Sequence, residues 1–181
     1  MNSFYNNIEL LTLGLKSFGS NVLISRKASI YNSETLEIGD NVRIDDFCIL
    51  SGVIKLGSNI HISAFSALYG KFGIEMGDFT GISPRCTLFS ASDDFGGDFM
   101  IGPTISEKFT NQTVGKISIN RFSQVGASSI IMPGVTLHDG VAVGSMSLVK
   151  KDLAEWCIYA GNPLRFIKNR NKGLLKFYER F

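Results

Sequence analysis

Two adjacent acids, Asp93 and Asp94, open a glycine-rich stretch, S-D-D-F-G-G, at residues 92–97. An aspartate, with an ordinary pKa of about 3.9, is a poor base for a hydroxyl. An amine makes a smaller demand. A neutral primary amine is already a nucleophile, so a carboxylate need only orient the ammonium and take its proton as the nitrogen forms a new bond. Glu75 stands 18 residues before Asp93. If both face one column of a repeating structure, each carboxylate opposes the other's ionisation, and one becomes a better base. Ser83 and Asp78 fall between the two and are expected to add substrate contacts. The two histidines, His61 and His138, lie far from this stretch in sequence and read as surface positions rather than bases.

The elements that must position these acids are legible as a repeat. The pattern apolar-Gly-Ser/Asp-Asn recurs as F-G-S-N-V at Phe18, I-G-D-N-V at Ile38 and L-G-S-N-I at Leu56, and more loosely as M-G-D-F-T at Met76. Between these starts an apolar residue returns every six positions: Ile38, Ile44, Leu50, Leu56, Ile62, Leu68, then Met76, Ile82, Leu88. After an interruption the register resumes at Ile119 and runs through Val125, Ile131, Leu137, Val143 and Val149. Four positions after most starts sits a small or apolar residue, such as Cys48, Ser66, Cys86, Ser129 or Ser147. Neither the helical period of ~3.6 nor the strand period of ~2 produces a strict six. A chain that turns a corner every six residues does, and three hexads make one triangular coil of 18, as from Ile38 to Leu56. Coils starting at Phe18 and Leu56 are two residues longer, which predicts small bulges within Y-N-S-E-T-L-E and G-K-F-G. The architecture expected is all-β, a parallel β-helix of about six coils, with starts and their i+4 partners pointing inward and Gly, Asn and Asp at the corners.

Three segments leave the repeat. Residues 1–17 read as a short N-terminal helix, with Phe4, Ile8, Leu11 and Leu15 on one face, capping the open end of the array at residues 18–158. Residues 92–115 read as an extruded loop, and a long loop in a compact array is commonly functional. Residues 159–181 read as a helical tail, with Leu164, Ile167, Leu174, Tyr178 and Phe181 on one face of a helix from Leu164 on. It is expected to cap the other prism end or pack on a neighbour. The rest bounds the class. A net charge of +2 in 181 residues argues for neither nucleic acid nor a membrane surface. Cys48, Cys86 and Cys157 form no CxxC pair, so no disulfide framework or zinc site is expected, and no metal. No apolar run or signal peptide is evident, which makes a cytoplasmic protein the expectation.

The register resembles the hexapeptide-repeat acyltransferases, whose β-helix is left-handed. Connections between parallel strands are otherwise right-handed in about 98% of cases, so the hand is implied by the resemblance alone. In sugar and xenobiotic acetyltransferases of this family a similar loop opens with a catalytic histidine, and here Asp93 stands in its place. The stretches F-Y-N-N-I-E-L-L-T-L-G-L-K, R-I-D-D-F-C-I-L-S-G and S-D-D-F-G-G look like the N-acyltransferases of nucleotide-linked amino sugars, where an aspartate and a serine near the sugar nitrogen replace the histidine. The resemblance implies Asp93, Ser83 and Glu75 as the catalytic set, and Asp78 and Asp94 as substrate contacts. It implies acetyl-CoA as acyl donor and a dTDP-linked 4-amino-4,6-dideoxyhexose as acceptor, in the synthesis of bacterial surface polysaccharide such as O-antigen. By the same resemblance Gly126, Ala127, Gly144 and Ser145 receive the pantetheine, Gly126 or Ala127 supplies an oxyanion-hole N–H, and Lys150, Lys151, Arg165 and Lys168 meet the CoA phosphates. It also implies a homotrimer with sites at the subunit interfaces, which would cover outward apolar residues such as Phe47, Phe65, Phe89 and Phe122. A sugar O-acetyltransferase and a non-catalytic scaffold of the same fold are the alternatives.

Overall fold

The computed structural model describes residues 3–181; Met1 and Asn2, the start of the expected cap, lie outside the described residues. The six-residue register becomes a triangular parallel β-helix. One face stacks Ser17–Phe18, Leu36–Ile38, the ends of the long strands Ile49–Leu56 and Ala67–Met76, then Ile117–Ile119 and Thr136–Leu137. The second face runs Leu23–Ile24, Val42–Ile44, Ile60–Ile62, Gly81–Ile82, Gln124–Val125, Ala142–Val143 and Cys157–Ala160. The third runs Ser29–Tyr31, the beginnings of the two long strands, Thr87–Phe89, Ile130–Ile131 and Leu148–Val149. That makes six complete coils and part of a seventh, since the first and third faces carry six rungs and the second carries seven.

Every hexad start from Ile38 to Val149 is buried, and so are most of the i+4 residues, Cys48, Ser66, Cys86, Ser129 and Ser147 among them. Several of the latter are serines. Their hydroxyls do not go unpaired: Ser66 donates to the carbonyl of Ser83 at 3.2 Å and Ser129 to that of Gly144 at 3.1 Å. A small polar residue fits where the coil narrows, because it bonds to a backbone acceptor inside its own prism. The two long coils carry their extra residues where expected. One is a 3₁₀ turn at Ser33–Thr35. The other lies where Gly52 pairs with Gly70 but Ile54 with Ile74, so the later strand has two residues more.

The corners depart in part from expectation. Asn21, Asn41 and Asn59 take left-handed backbone, as asparagine tolerates, and the Asn21 amide donates to the Asn41 side chain at 2.9 Å. The same conformation, however, falls on Phe47, Phe65, Arg85, Ser128 and Met146 along a second corner. There, stacking between rungs takes over: Phe47 and Phe65 stack with ring centroids 4.9 Å apart.

Both ends differ from the sequence reading. The N-terminal helix is Asn7–Thr12, and it is capped by Asn6 and Glu9 in a reciprocal pair rather than by Ser3. Its buried residue is Leu10, whereas Ile8 and Leu11 are 75% and 71% exposed. A helix this short meets the core at one point, so a four-residue apolar face is not required. The tail is not a helix from Leu164 on. Arg165–Asn169 is a strand antiparallel to Cys157–Ala160, and only Leu175–Tyr178 is helical. Asn171 and Gly173 turn the chain between them. The tail then runs back along the first corner, where Tyr178 and Phe181 meet Phe79 edge-on at 5.2 and 5.5 Å. Arg170 fastens it by donating to the carbonyls of Phe122 (2.6 Å) and Gly140 (3.0 Å).

Candidate active site

The extruded loop leaves the third corner between two short strands, Ala91–Ser92 and Thr113–Val114, which pair antiparallel and close its base. Asp93 is the first residue beyond that clasp and is half-buried. Its Oδ1 accepts from the Gln112 amide at 2.8 Å and its Oδ2 from the Gly102 N–H at 3.1 Å. Each oxygen keeps a lone pair for a further donor. A hollow of about 380 Å³ adjoins it, lined by Phe89, Phe95, Ile130, Met132 and Leu148 besides the carboxylate. One anchored carboxylate in a largely apolar wall, with Ser92 and Gln112 beside it, can hold an ammonium or its conjugate amine close to an acyl chain.

The other acids expected at the site are engaged elsewhere. Glu75 does not pair with Asp93. The chain has left the prism at Ala91–Ser92 before it reaches Asp93, so the next-rung partner of Glu75 is Ser118, beyond the loop. Its carboxylate is bound by Lys116, and that hydrogen bond holds its pKa below the ordinary value, the reverse of a strengthened base. Asp94 faces its own loop, accepting from the N–H groups of Gly96, Asp98 and Phe99 at 2.7, 2.9 and 3.0 Å. These bonds, led by Gly96, lower its pKa, and through them Asp94 shapes the loop. Asp78 closes the first corner by accepting from Ser58 N–H at 2.8 Å, and its second oxygen lies 4.0 Å from Arg121. Asp40 does the same for Ser20 two coils earlier, which marks this as a corner function.

Ser83 follows the second-face strand Gly81–Ile82, one corner before the strand that leads to Asp93. Its hydroxyl accepts from the Gln124 amide at 3.4 Å. The second face beside it carries polar residues that sequence reasoning missed. Asp45 accepts from Arg43 Nε and bonds His61 Nε2, both at 2.7 Å. Burial pushes the Asp45 carboxyl up, but the hydrogen bonds from Arg43 and His61 outweigh it and hold the carboxyl below its ordinary value. The available signal was the spacing: Arg43 and His61 are the same outward position one 18-residue coil apart. His138 is exposed, as expected.

At the far end of the prism the donor residues are partly reassigned. The Gly126 N–H bonds the Val143 carbonyl at 2.7 Å and the Gly144 N–H bonds that of Tyr159 at 2.7 Å, so neither is a free oxyanion donor. A side chain at Gly126 would come within 2.5 Å of the Ser145 backbone, and one at Gly144 within 2.8 Å of Ala160 Cβ. Rung stacking therefore requires these glycines, independently of any ligand. The Ala127 N–H makes no hydrogen bond among the described residues and remains the available donor. Ser145, Lys150, Lys151 and Arg165 are exposed, and none of these three cations has an ion-pair partner among the described residues. Lys168, also exposed, lies on the tail strand opposite Ile158. Among the described residues no cluster of three or more His, Cys, Asp or Glu could hold a metal ion. No helix among them is long and apolar enough to cross a membrane.

Known proteins resemble this chain in sequence and fold. No protein-family model matches the chain. A dTDP-4-amino-4,6-dideoxy-D-glucose acyltransferase from Escherichia coli is 37% identical over 177 residues, covering 96% of this chain and 92% of the relative. AntD, an N-acyltransferase from Bacillus cereus solved with dTDP-4-amino-4,6-dideoxyglucose and coenzyme A, superposes with a TM-score of 0.98 at 50% identity, covering 100% of this chain and 98% of that one. AntD has also been solved with dTDP and 3-hydroxybutyryl-CoA. Its solved variants include changes at a serine and at an aspartate ten residues apart. A galactoside acetyltransferase with coenzyme A shares the fold alone, at TM-score 0.59 and 17% identity, over 93% of this chain and 72% of its own. With a stacked-coil prism matching a left-handed β-helix and full-length similarity to a named acyltransferase, this chain belongs to the hexapeptide-repeat acyltransferase family.

Proposed function

We propose that the chain transfers an acyl group from acyl-CoA to the amino group of a dTDP-linked 4-amino-4,6-dideoxyhexose. The observation that carries this is Asp93: a half-buried carboxylate, anchored by Gln112 and Gly102, stands where the loop leaves the prism. It lies ten residues from Ser83, the separation of the serine and aspartate varied in AntD. In this reading Asp93 orients the amine and Ser83 bonds it or the acyl oxygen. The nitrogen adds to the thioester carbonyl, the C–S bond breaks, and the proton lost from nitrogen passes to Asp93 or to the departing thiolate. The Ala127 N–H supports the developing oxyanion. Lys150, Lys151 and Arg165 meet the CoA phosphates, with Ser145 and the backbone around Gly126 and Gly144 lining the pantetheine path.

The acyl group belongs to the short-chain class. Acetyl is the donor the sequence resemblance implies, and the hollow beside Asp93 also has room for a four-carbon chain such as the one AntD was solved with.

We further infer a homotrimer. Ser83 and Asp93 sit at opposite ends of one prism face, about 15–20 Å apart at six residues of ~3.3 Å. One substrate nitrogen is therefore best reached by Ser83 of one subunit and Asp93 of the next. Two exposed features support a neighbouring copy there. Phe95 on the loop is 93% exposed, and the stacked Phe47 and Phe65 are 48% and 53% exposed at the Ser83 corner. The product would serve surface-polysaccharide synthesis in the cytoplasm.

The test is thiol release. Acetyl-CoA and 3-hydroxybutyryl-CoA are each offered with dTDP-4-amino-4,6-dideoxyglucose, and with galactosides. Turnover confined to the amino sugar is expected; turnover only with galactosides sinks this reading in favour of O-acetylation, and no binding of CoA leaves a scaffold.

A further inference from the structure

The overall charge of +2 conceals a division along the chain. Eight of the 18 Lys and Arg but three of the 16 Asp and Glu fall in residues 150–181, so this end carries +5 and the rest −3. Arg170 is spent on backbone carbonyls. The other cations of the tail, Arg165, Lys168, Lys172, Lys176 and Arg180, are exposed, and none has an ion-pair partner among the described residues. Apolar side chains stand between them. The strand Arg165–Asn169 pairs with the last rung and is exposed throughout, so Phe166 and Ile167, which point to opposite sides of it, are each more than half exposed. The turn of helix at Leu175–Tyr178 keeps Leu174 and Leu175 half-buried. Its outer side carries two stripes at i, i+4 spacing: Lys176 with Arg180, and Phe177 with Phe181, which are 75% and 84% exposed. The phosphates of a coenzyme would engage the cations and leave Ile167 and the phenyl rings in water. A bilayer with anionic headgroups takes both, since lipid phosphates meet the cations and apolar side chains enter the boundary between headgroups and acyl chains.

We propose that, whatever group the active site transfers, the C-terminal tail docks on an anionic lipid bilayer, lying on its surface without crossing it. The charge of the tail is complementary to that surface, and its exposed apolar residues are interleaved with the cations rather than gathered into a groove for a protein partner. An RNA strand supplies the same phosphates and stacks on phenyl rings, but it offers nothing to Ile167, which is aliphatic and stands on the other side of the strand from Phe166. A single tail with one turn of helix binds such a surface weakly. In the proposed trimer one rotation axis sets three tails at the same end, so three weak contacts act together on one bilayer.

Vesicle flotation is the test. The wild-type chain is mixed with vesicles of phosphatidylglycerol and phosphatidylethanolamine, with phosphatidylcholine vesicles, and with single-stranded RNA, each at low and high salt and with or without saturating CoA. Two variants are compared: Lys172→Gln/Lys176→Gln/Arg180→Gln removes charge, and Ile167→Gln/Phe177→Gln removes apolar surface. Neither changes a residue assigned to the amino sugar or to CoA, so melting temperature and CoA affinity should stay near wild type and show that both fold. The wild type should float with the anionic vesicles at low salt, release at high salt, and stay bound in the presence of CoA. Each variant should bind the same vesicles more weakly by about tenfold or more. Absence of binding, equal binding to phosphatidylcholine, or unchanged binding in both variants overturns the proposal. Tighter binding to RNA than to the vesicles overturns it in favour of a nucleic acid, and release by CoA returns these cations to the coenzyme. Should one variant melt early, the other decides on the same criterion.

Discussion

At the scale of single residues, each carboxylate of the candidate site is defined by what already occupies it. Asp94 spends its oxygens on three backbone N–H groups of its own loop, and Glu75 is bound by Lys116. Asp93 is held by one side-chain and one backbone donor, which fixes its direction and leaves acceptor capacity outward. Asp93→Asn keeps a carbonyl oxygen for Gly102 and can be met by a flipped Gln112 amide, so the loop should stay folded. It removes the charge that holds an ammonium. In steady-state assays kcat should fall about 100-fold or more, the scale of a lost acid–base group, with the KM for acyl-CoA changed less than about threefold. Activity within a fewfold of wild type would reduce Asp93 to a loop residue.

At the scale of elements, the first corner shows how the tail depends on one missing side chain. Phe79 and Phe122 stack at 5.5 Å, Phe122 and Trp156 approach at 6.1 Å, and Tyr178 and Phe181 close over Phe79. Gly140 lies in the same corner column between Phe122 and Trp156, with φ of +68°. A Cβ there would lie 2.5 Å from the indole. Gly140→Ala therefore combines a strained backbone with a clash against a rigid ring, and should destabilise by about 2 kcal/mol or more. Trp156 is the chain's single tryptophan. Its fluorescence should shift to the red as it leaves the stack, and an unaltered spectrum and melting temperature would contradict this account of the corner. Much of this element was hidden in the sequence. The apolar spacing of the tail at Leu164, Ile167 and Leu174 matches a helix, but Arg165–Asn169 pairs with Cys157–Ala160 because the last rung otherwise ends as an open edge.

At the scale of the whole molecule, Ser83 and Asp93 on different corners make a strong prediction for the proposed trimer. Ser83→Ala and Asp93→Asn subunits, each nearly inactive alone, are unfolded together, mixed equally and reassembled. Sites that draw Ser83 from one subunit and Asp93 from the next should recover to roughly a quarter of the wild-type number, by random three-fold assembly. No recovery would place both residues in one subunit. The same scale separates two polar regions: polar residues crowd the second face of the early coils, and unpaired cations gather near the last ones.

The sequence by itself determined the prism. A period of six in apolar residues is a local property, carried by each hexad separately, so the inward set from Ile38 to Val149 and the exit of the chain near residue 92 could be read without knowing any contact. Register between rungs is not local. The chain leaves the prism after Ala91–Ser92 and rejoins it past Thr113–Val114, and that excursion places Ser118 rather than Asp93 on the rung beside Glu75. The same limit explains Gly126, whose N–H is claimed by a carbonyl of the next coil, and the Arg43–Asp45–His61 cluster, assembled from two coils. Only the tertiary structure could decide which neighbour reaches each polar group first, because hydrogen bonds and ion pairs depend on ångström-scale distances between segments that the sequence leaves far apart.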